Sequence, residues 1–468
     1  MKRLAVFFIL LFVCFDDWGN FAYSQQRSVL SGVTPNMFGS VSQGQATPGT
    51  IQLTIADAID RALKYNLGGI IADQETRVST AAHLRALSRF LPKVDADVTE
   101  TVQQIDLAAF GFSGFAGLGS VVGPFSVFDA RAKYSQTLLD ARRFHELKAA
   151  SERLNASNFA RQDARDLIVL ITTGLYLEAV ASTSREDTAR AQLMTAQAEY
   201  DRAMDLKTSG LVPAIDVVRA QVQLQVQQQR LVAAENDRAK QKLNITRAIG
   251  LPQTQDFALT NNFITTPVPL PTFEQELDLA LANRFDYRRA QSRVREAEEN
   301  RKAALGRRMP SLKVDANYGD IGRAPGNSHG TMFVEGTLSV PISTGGQTRA
   351  ALVESDALLE ERKAEVADMR DQIEYELRAA NLDIQAASQQ VKVAQAGRDL
   401  AQQQLMQAQD RFAAGVANGL EVTQAQEAVA TAEENYISSI YALNISEAAI
   451  GRAVGNAEQT VKQYFGAK

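Results

Sequence analysis

Few residues in this 468-residue chain are placed to do chemistry. The three histidines, His83, His145 and His329, stand outside metal-ligand spacing of one another. Cys14 is the only cysteine, so the chain after it has no material for disulfides or thiolate catalysis. The eight methionines do not cluster into a soft-metal ladder. No Walker loop, nucleophile elbow or zincin motif occurs, and the glycines from Gly111 to Gly119 open no helix after a strand. The residues thus supply no catalytic group, metal centre or cofactor site. What remains is a pair of carboxylates, Asp216 and Glu421, each six residues past a glycine in a repeated turn. Both fall in the first turn of an expected helix, where an acid is favoured by the helix dipole.

The elements that position this pair come from an internal duplication. Thr54-Ile55 with Ala62-Leu63 recurs as Thr272-Phe273 with Ala280-Leu281, and Leu91-Pro92 recurs as Met309-Pro310, at an offset of 218. Gly210-Leu211, Ile215-Asp216-Val217 and Ala220-Gln221 recur as Gly415-Val416, Leu420-Glu421-Val422 and Ala425-Gln426, at an offset of 205. Arg247-Ala248-Ile249-Gly250 and Arg452-Ala453-Val454-Gly455 keep that second offset. The lost residues must fall between the proline and the glycine, in a hairpin whose loop length is cheap to vary. Each half therefore reads helix, strand, loop, strand, long helix, turn, long helix. The first helix opens behind Thr54 or Thr272 and ends at Pro92 or Pro310, because proline lacks the N–H and restricts the residue before it.

After each proline the period changes from 3.6 to 2. Val94, Ala96 and Val98 alternate with Asp95, Asp97 and Thr99, and Leu312, Val314, Ala316 and Tyr318 with Lys313, Asp315 and Asn317. The return strands do the same at Phe128–Ser135 and at Thr331–Val340, although Phe333 interrupts the second polar face. Such alternation suits a barrel strand between lipid and water, and it suits a half-buried strand of a soluble sheet equally. In lipid, four strands cannot close and an open edge cannot persist, so a membrane reading requires several chains to share one wall.

The helices behind the strands are expected at roughly 138–209, 216–249, 347–414 and 421–454. Seventy helical residues reach about 100 Å, far beyond what a globular domain needs. Val217, Ala220, Leu224, Gln227, Leu231 and Ala234 keep coiled-coil spacing, as do Val422, Ala425, Val429, Ala432 and Tyr436. No segment beyond the N-terminus holds 18 uninterrupted apolar residues. The richest, Ile168–Ala181, is broken by Thr172, Thr173 and Glu178, so a membrane segment would be built of strands. At the N-terminus Lys2-Arg3, the apolar run Leu4–Phe15 and Ala22-Tyr23-Ser24 read as a signal peptide. A formal charge of −5, spread without blocks, argues against nucleic acid as a partner. The resulting organisation is a signal peptide over 1–24, a mobile segment over 25–50, a first repeat over 51–250, a Pro-rich connector over 251–271, a second repeat over 272–455 and a tail over 456–468.

Taken together, the duplicated helix–Pro–strand units and the turns 210–217 and 415–422 resemble the TolC-like outer membrane efflux proteins, over roughly Leu53–Gly455. The resemblance implies a mixed, mainly α fold, with long antiparallel helical hairpins forming a periplasmic barrel. Four strands per chain would enter a trimeric, twelve-stranded transmembrane β-barrel. It implies an exit duct for a multipartite efflux or type I secretion system, not an enzyme and without cofactor or metal. The partners it implies are two further copies, outer membrane lipid, a periplasmic adaptor and an inner-membrane pump. Gly210, Leu211, Gly415 and Val416 would form the docking turns, and Asp216 and Glu421 would face the constricted entrance. A ring of carboxylates there disfavours anions and holds cations. The chain departs from the pattern at Arg219 and Gln424, where some members carry a second acid, at Ala417, where some carry a basic gate residue, and at Thr137, where proline is usual. A periplasmic adaptor and a coiled-coil scaffold without a pore are the competing readings.

Overall fold

The computed structural model describes residues 35–42, 44–112, 119–260, 263–265, 271–414 and 416–465. The expected signal peptide, residues 25–34, Pro267, Pro269, Gly415, residues 113–118 of the Phe/Gly-rich loop and residues 466–468 lie outside them. In chain order the elements are β1 (Ile51–Leu53), α1 (Ile55–Tyr65), α2 (Leu67–Leu87), β2 (Lys93–Asp106), β3 (Val121–Asp140), α3 (Ala141–Thr208), α4 (Ala214–Ile249) and β4 (Phe257–Leu259). The second half repeats them as α5 (Phe273–Asn283), α6 (Phe285–Gly306), β5 (Ser311–Gly322), β6 (Ser328–Ser339), α7 (Gln347–Ala413) and α8 (Gly419–Ala453), followed by α9 (Ala457–Phe465).

The chain divides into two compact units, and each draws on both halves of the repeat. One comprises Met1–Gln74, Ala160–Asp286 and Met369–Lys468, the other Glu75–Phe159 and Tyr287–Asp368. A hairpin or an amphipathic helix pair cannot bury its own face, so each half completes itself against the other.

The helical unit explains the apolar run of α3. Ile168, Val169, Leu170, Tyr176 and Leu177 are buried with Ile55, Ile59, Ile245, Ile249 and Phe257 in the main core. That segment is long and apolar enough to cross a membrane by composition, but two thirds of it is buried inside the protein. It is core. The expected tail is a helix instead, and Ala457, Val461 and Phe465 of α9 join the same core. Part of the connector pairs too, since β4 lies parallel to β1 with Ile51 opposite Phe257. The segment expected to be mobile is tied down within its described residues: Ser40 bridges Asn66, and the Thr47 N–H donates to Gln255 Oε1 at 2.8 Å.

One expected helix per half is in fact two. The first breaks at Asn66 and its copy at Arg284, positions that keep the offset of 218. Asn66 is buried; its Oδ1 accepts from the Gly68 N–H at 2.8 Å and its Nδ2 donates to the Met37 carbonyl at 2.6 Å. Its side chain therefore competes with the helix for backbone groups and starts α2 afresh. Arg284 breaks the helix differently, with its guanidinium buried on Asp286 at 2.6 Å and Glu376 at 2.5 Å. Burial alone would lower its pKa, but the hydrogen bonds and charges of the two acids hold it above the ordinary value. Behind each break stands a glycine in the left-handed region. Gly250 ends α4 against Tyr65, and Gly455, one residue past the Val454 cap of α8, lies against Asn283 and Arg284.

Candidate functional site: a two-faced sheet and two acidic turns

The sheet is antiparallel, in the order β2-β3-β5-β6. Pairing registers decide which side chains share a face. Val94 lies opposite Tyr134, Tyr134 opposite Ala316, and Ala316 opposite Val334. The next row is Ala96, Ala132, Tyr318 and Met332. On the other face Asp97 pairs with Arg131, Arg131 with Gly319, Asp95 with Lys133, Lys133 with Asn317, and Asn317 with Phe333. Period-2 alternation in four separate segments thus becomes one apolar face and one charged face, with Phe333 an exception on the charged face and Glu100 and Asp320 exceptions toward the loop end of the apolar one. The charged face is internally paired, through Lys133–Asp97 at 3.0 Å, Arg131–Asp129 at 2.5 Å and Lys313–Asp315 at 2.8 Å.

The apolar face is exposed. Val98, Met332 and Val334 keep 74, 79 and 70 % of their surface accessible, and no described element covers them. A soluble half-buried strand would hide these side chains, and here they are the most accessible of the sheet's large hydrophobic side chains. The strands leave Pro92 and Pro310 as expected, beginning at Lys93 and Ser311. The length difference between halves is not confined to the loop. The first strands have 14 and 20 residues against 12 and 12, and the second half regains residues in the 340–346 stretch before α7. In the first half β3 passes straight into α3 at Asp140–Ala141, which is how that junction dispenses with a proline.

The acidic turns belong to the helical unit. α3 closes with the Leu211 N–H on the Leu206 carbonyl at 2.9 Å and the Gly210 N–H on the Lys207 carbonyl at 2.9 Å, a Schellman closure with Gly210 at φ +75°. The Val416 N–H reaches back to the Arg411 carbonyl in the same way, at 3.0 Å. Leu211 and Val416 project from the two turns, 69 and 68 % exposed. Asp216 and Glu421 both lie in the first helical turn, as expected. Their surroundings differ. Asp216 is buried, its carboxylate against Gly419 at the start of α8 and 3.0 Å from the Arg219 guanidinium. Glu421 is half-exposed and pairs with Arg411 at 3.1 Å, while its N–H donates to the Asn418 side chain.

Arg219 is the residue at which the chain departs from the two-acid pattern, and it neutralises Asp216. Two further groups were not singled out from the sequence. Glu199 and Gln426 line, with Asp216, Gln223, Phe412 and Thr423, a cavity with room for a single water. Burial raises the Glu199 carboxyl above its ordinary value against the opposing pull of Arg202 and a Gln409 hydrogen bond. Gln426 is buried there with its Nε2 unpartnered among the described residues. Only the packing of α3 against α4 and α8 brings these groups together, so no local pattern marks them. Further along, Glu427 of α8 accepts from Arg230 at 2.7 Å and Gln223 at 3.0 Å of α4, tying the two hairpins. Among the described residues no three His, Cys, Asp or Glu side chains gather as a metal site. His145 contacts Glu299 at 2.7 Å, and His329 lies opposite Ile321 in the sheet.

With this geometry in hand, the sequence profile of the outer membrane efflux proteins matches residues 72–251 and again 277–456. The chain belongs to the outer membrane efflux protein family. The two matched segments are one per repeat, displaced by the same 205 residues as the acidic turns. This is a family of channels, not of enzymes. Solved structures of outer membrane channels share the fold at low identity. The outer-membrane channel OprN superposes with a TM-score of 0.76 at 17 % identity, covering 86 % of this chain and 90 % of that one. The CmeC outer membrane channel of Campylobacter jejuni gives 0.74 at 16 %, covering 90 and 92 %, and the MtrE outer membrane channel of Neisseria gonorrhoeae 0.74 at 16 %, covering 91 and 96 %. No curated protein matched the chain in sequence.

Proposed function

We propose that three copies of this outer membrane efflux protein close a twelve-stranded barrel in the outer membrane and continue as a helical conduit through the periplasm. The observation that carries this is the exposed apolar face of a four-stranded sheet whose outer strands, β2 and β6, have no partner on their far sides among the described residues. In lipid every backbone polar group must be satisfied, so such edges require neighbouring copies. Four strands from each of three chains make a closed wall of ordinary size.

In this reading the duct serves an efflux or type I secretion system, receiving substrate from an inner-membrane pump through a periplasmic adaptor. The projecting Leu211 and Val416, together with Gly210 and Gly415 of the duplicated motif, form the docking surface. Asp216 and Glu421 set the charge of the entrance. Separation of envelope fractions tests the core of the proposal: a heat-resistant trimer recovered from outer membranes is expected, and a soluble monomer overturns it. For the docking turns, Leu211→Asp with Val416→Asp should abolish cross-linking to the adaptor while the trimer persists. Retention of the cross-link would remove those turns from docking.

A further inference from the structure

The junction between helices and strands carries arginines at equivalent places in both halves. Arg89 and Arg307 each stand three residues before the break proline. Arg143 and Arg349 are each the third residue of a long helix, α3 or α7. In the first half these charges are satisfied internally. Arg89 binds Glu146 at 2.6 Å, and Arg143 binds Asp140 at 3.1 Å and the Thr137 hydroxyl at 2.7 Å. In the second half the acids are gone: counted from the helix start, Gly346 replaces Asp140 and Leu352 replaces Glu146. Arg307, Arg308 and Arg349 are exposed, and among the described residues no side-chain hydrogen bond or ion pair engages them.

These three arginines lie at one level. Arg301 of α6 pairs with Asp356 of α7, which fixes the register of the two helices. Six residues onward from Arg301 and seven back from Asp356, each about 10 Å of helix, lead to Arg307 and Arg349. Beside them Met309 is 58 % and Ile342 97 % exposed, and Leu338 continues the apolar face of the sheet. At the loop end the charge reverses, because Glu100 and Asp320 fall on the apolar face, opposite Phe128 and Ala130.

We propose that Arg307, Arg308 and Arg349 bind the phosphate headgroups of anionic phospholipids, whose acyl chains lie against Ile342, Met309 and Leu338. The inference rests on the membrane reading above. Guanidinium forks match phosphate oxygens, and their stems cover apolar surface while the charged heads stay in the headgroup layer. The acids at the loop end repel the same lipids, so the preference is confined to one leaflet.

The test is lipid retention by the full-length protein incorporated in phosphatidylcholine vesicles with and without phosphatidylglycerol. The wild type should retain phosphatidylglycerol preferentially after detergent washing. Changing Arg307, Arg308 and Arg349 together to Gln should lower that preference about tenfold, and changing them to Lys should preserve most of it. An unchanged preference in the Gln variant overturns the proposal. So does full displacement of the lipid by inorganic phosphate, which would indicate a small-anion site. Equal loss of trimer in both lipids also overturns it, by assigning the face to a subunit interface. Failure to enter any vesicle counts against the membrane reading, whereas entry without lipid preference counts against this inference alone.

Discussion

Asp216 and Arg219 form an ion pair at 3.0 Å within the first turns of α4, and the same carboxylate abuts Gly419 of the other hairpin. Glu421 is likewise paired, with Arg411. Each acid of the duplicated turn therefore already has a cation, and in the proposed duct the charge of the entrance would depend on these four residues. Asp216→Ala with Glu421→Ala should shift a purified trimer in planar bilayers toward anions, because Arg219 and Arg411 remain. Arg219→Ala with Arg411→Ala should shift it toward cations. Reversal potentials in a KCl gradient read both, and an unchanged potential in the first variant removes the acids from the gate.

The two faces of the sheet predict opposite tolerance. Val334→Arg places a charge on the apolar face, at a cost of about 2–4 kcal/mol at the membrane midplane. It should abolish recovery of trimer from outer membranes. Thr337→Arg, on the charged face opposite Lys313, should leave recovery near the wild-type level. Equal recovery of both variants would contradict the assignment of the faces.

The glycines behind the helix breaks should be far less replaceable than the glycine of the turn. A Cβ on Gly250 would sit 2.8 Å from the Tyr65 side chain and 3.0 Å from the Val41 carbonyl, at φ +72°. A Cβ on Gly210, at φ +75°, meets nothing within 4 Å. Gly210→Ala should cost about 1 kcal/mol from backbone strain alone, and Gly250→Ala about 3 kcal/mol or more. Denaturant midpoints of the two variants compare them directly.

Asp166 supplies a pH dependence. Burial raises its pKa to about 7; Arg452 and Arg165 oppose the rise, and Asp163 and Glu458 add to it. The folded state therefore holds a proton that the unfolded chain releases near pH 3.8. Its contribution to stability is complete below that pH and is lost as pH rises toward 7. Asp166→Asn should accordingly raise the melting temperature more at pH 8 than at pH 5. A gain independent of pH would show that the carboxyl does not titrate in this range.

The sequence alone determined what is local or periodic. Duplicated motifs fixed the element order, prolines fixed the strand starts at Lys93 and Ser311, and alternation marked each strand as two-faced, because these depend on neighbours within a few residues. The breaks at Asn66 and Arg284 were not anticipated, because each half was expected to open with one continuous helix. Asn66 breaks its helix through bonds to Met37 and Gly68, and Arg284 is held by the nearby Asp286 together with Glu376, 92 residues away. Alternation could not choose between a lipid-facing and a soluble strand, since both have period 2. Register aligned the apolar rows of the four strands on one face and left that face uncovered by any described element, which supports the lipid-facing reading proposed above. The same holds at the turns. Spacing put Asp216 and Glu421 on equivalent footing, and the packing of α4 against α8 separated them, burying Asp216 with Arg219 and leaving Glu421 half in water. The ion pairs are local, but the burial of Asp216 depends on Gly419 in the other repeat, and only the folded chain brings those together.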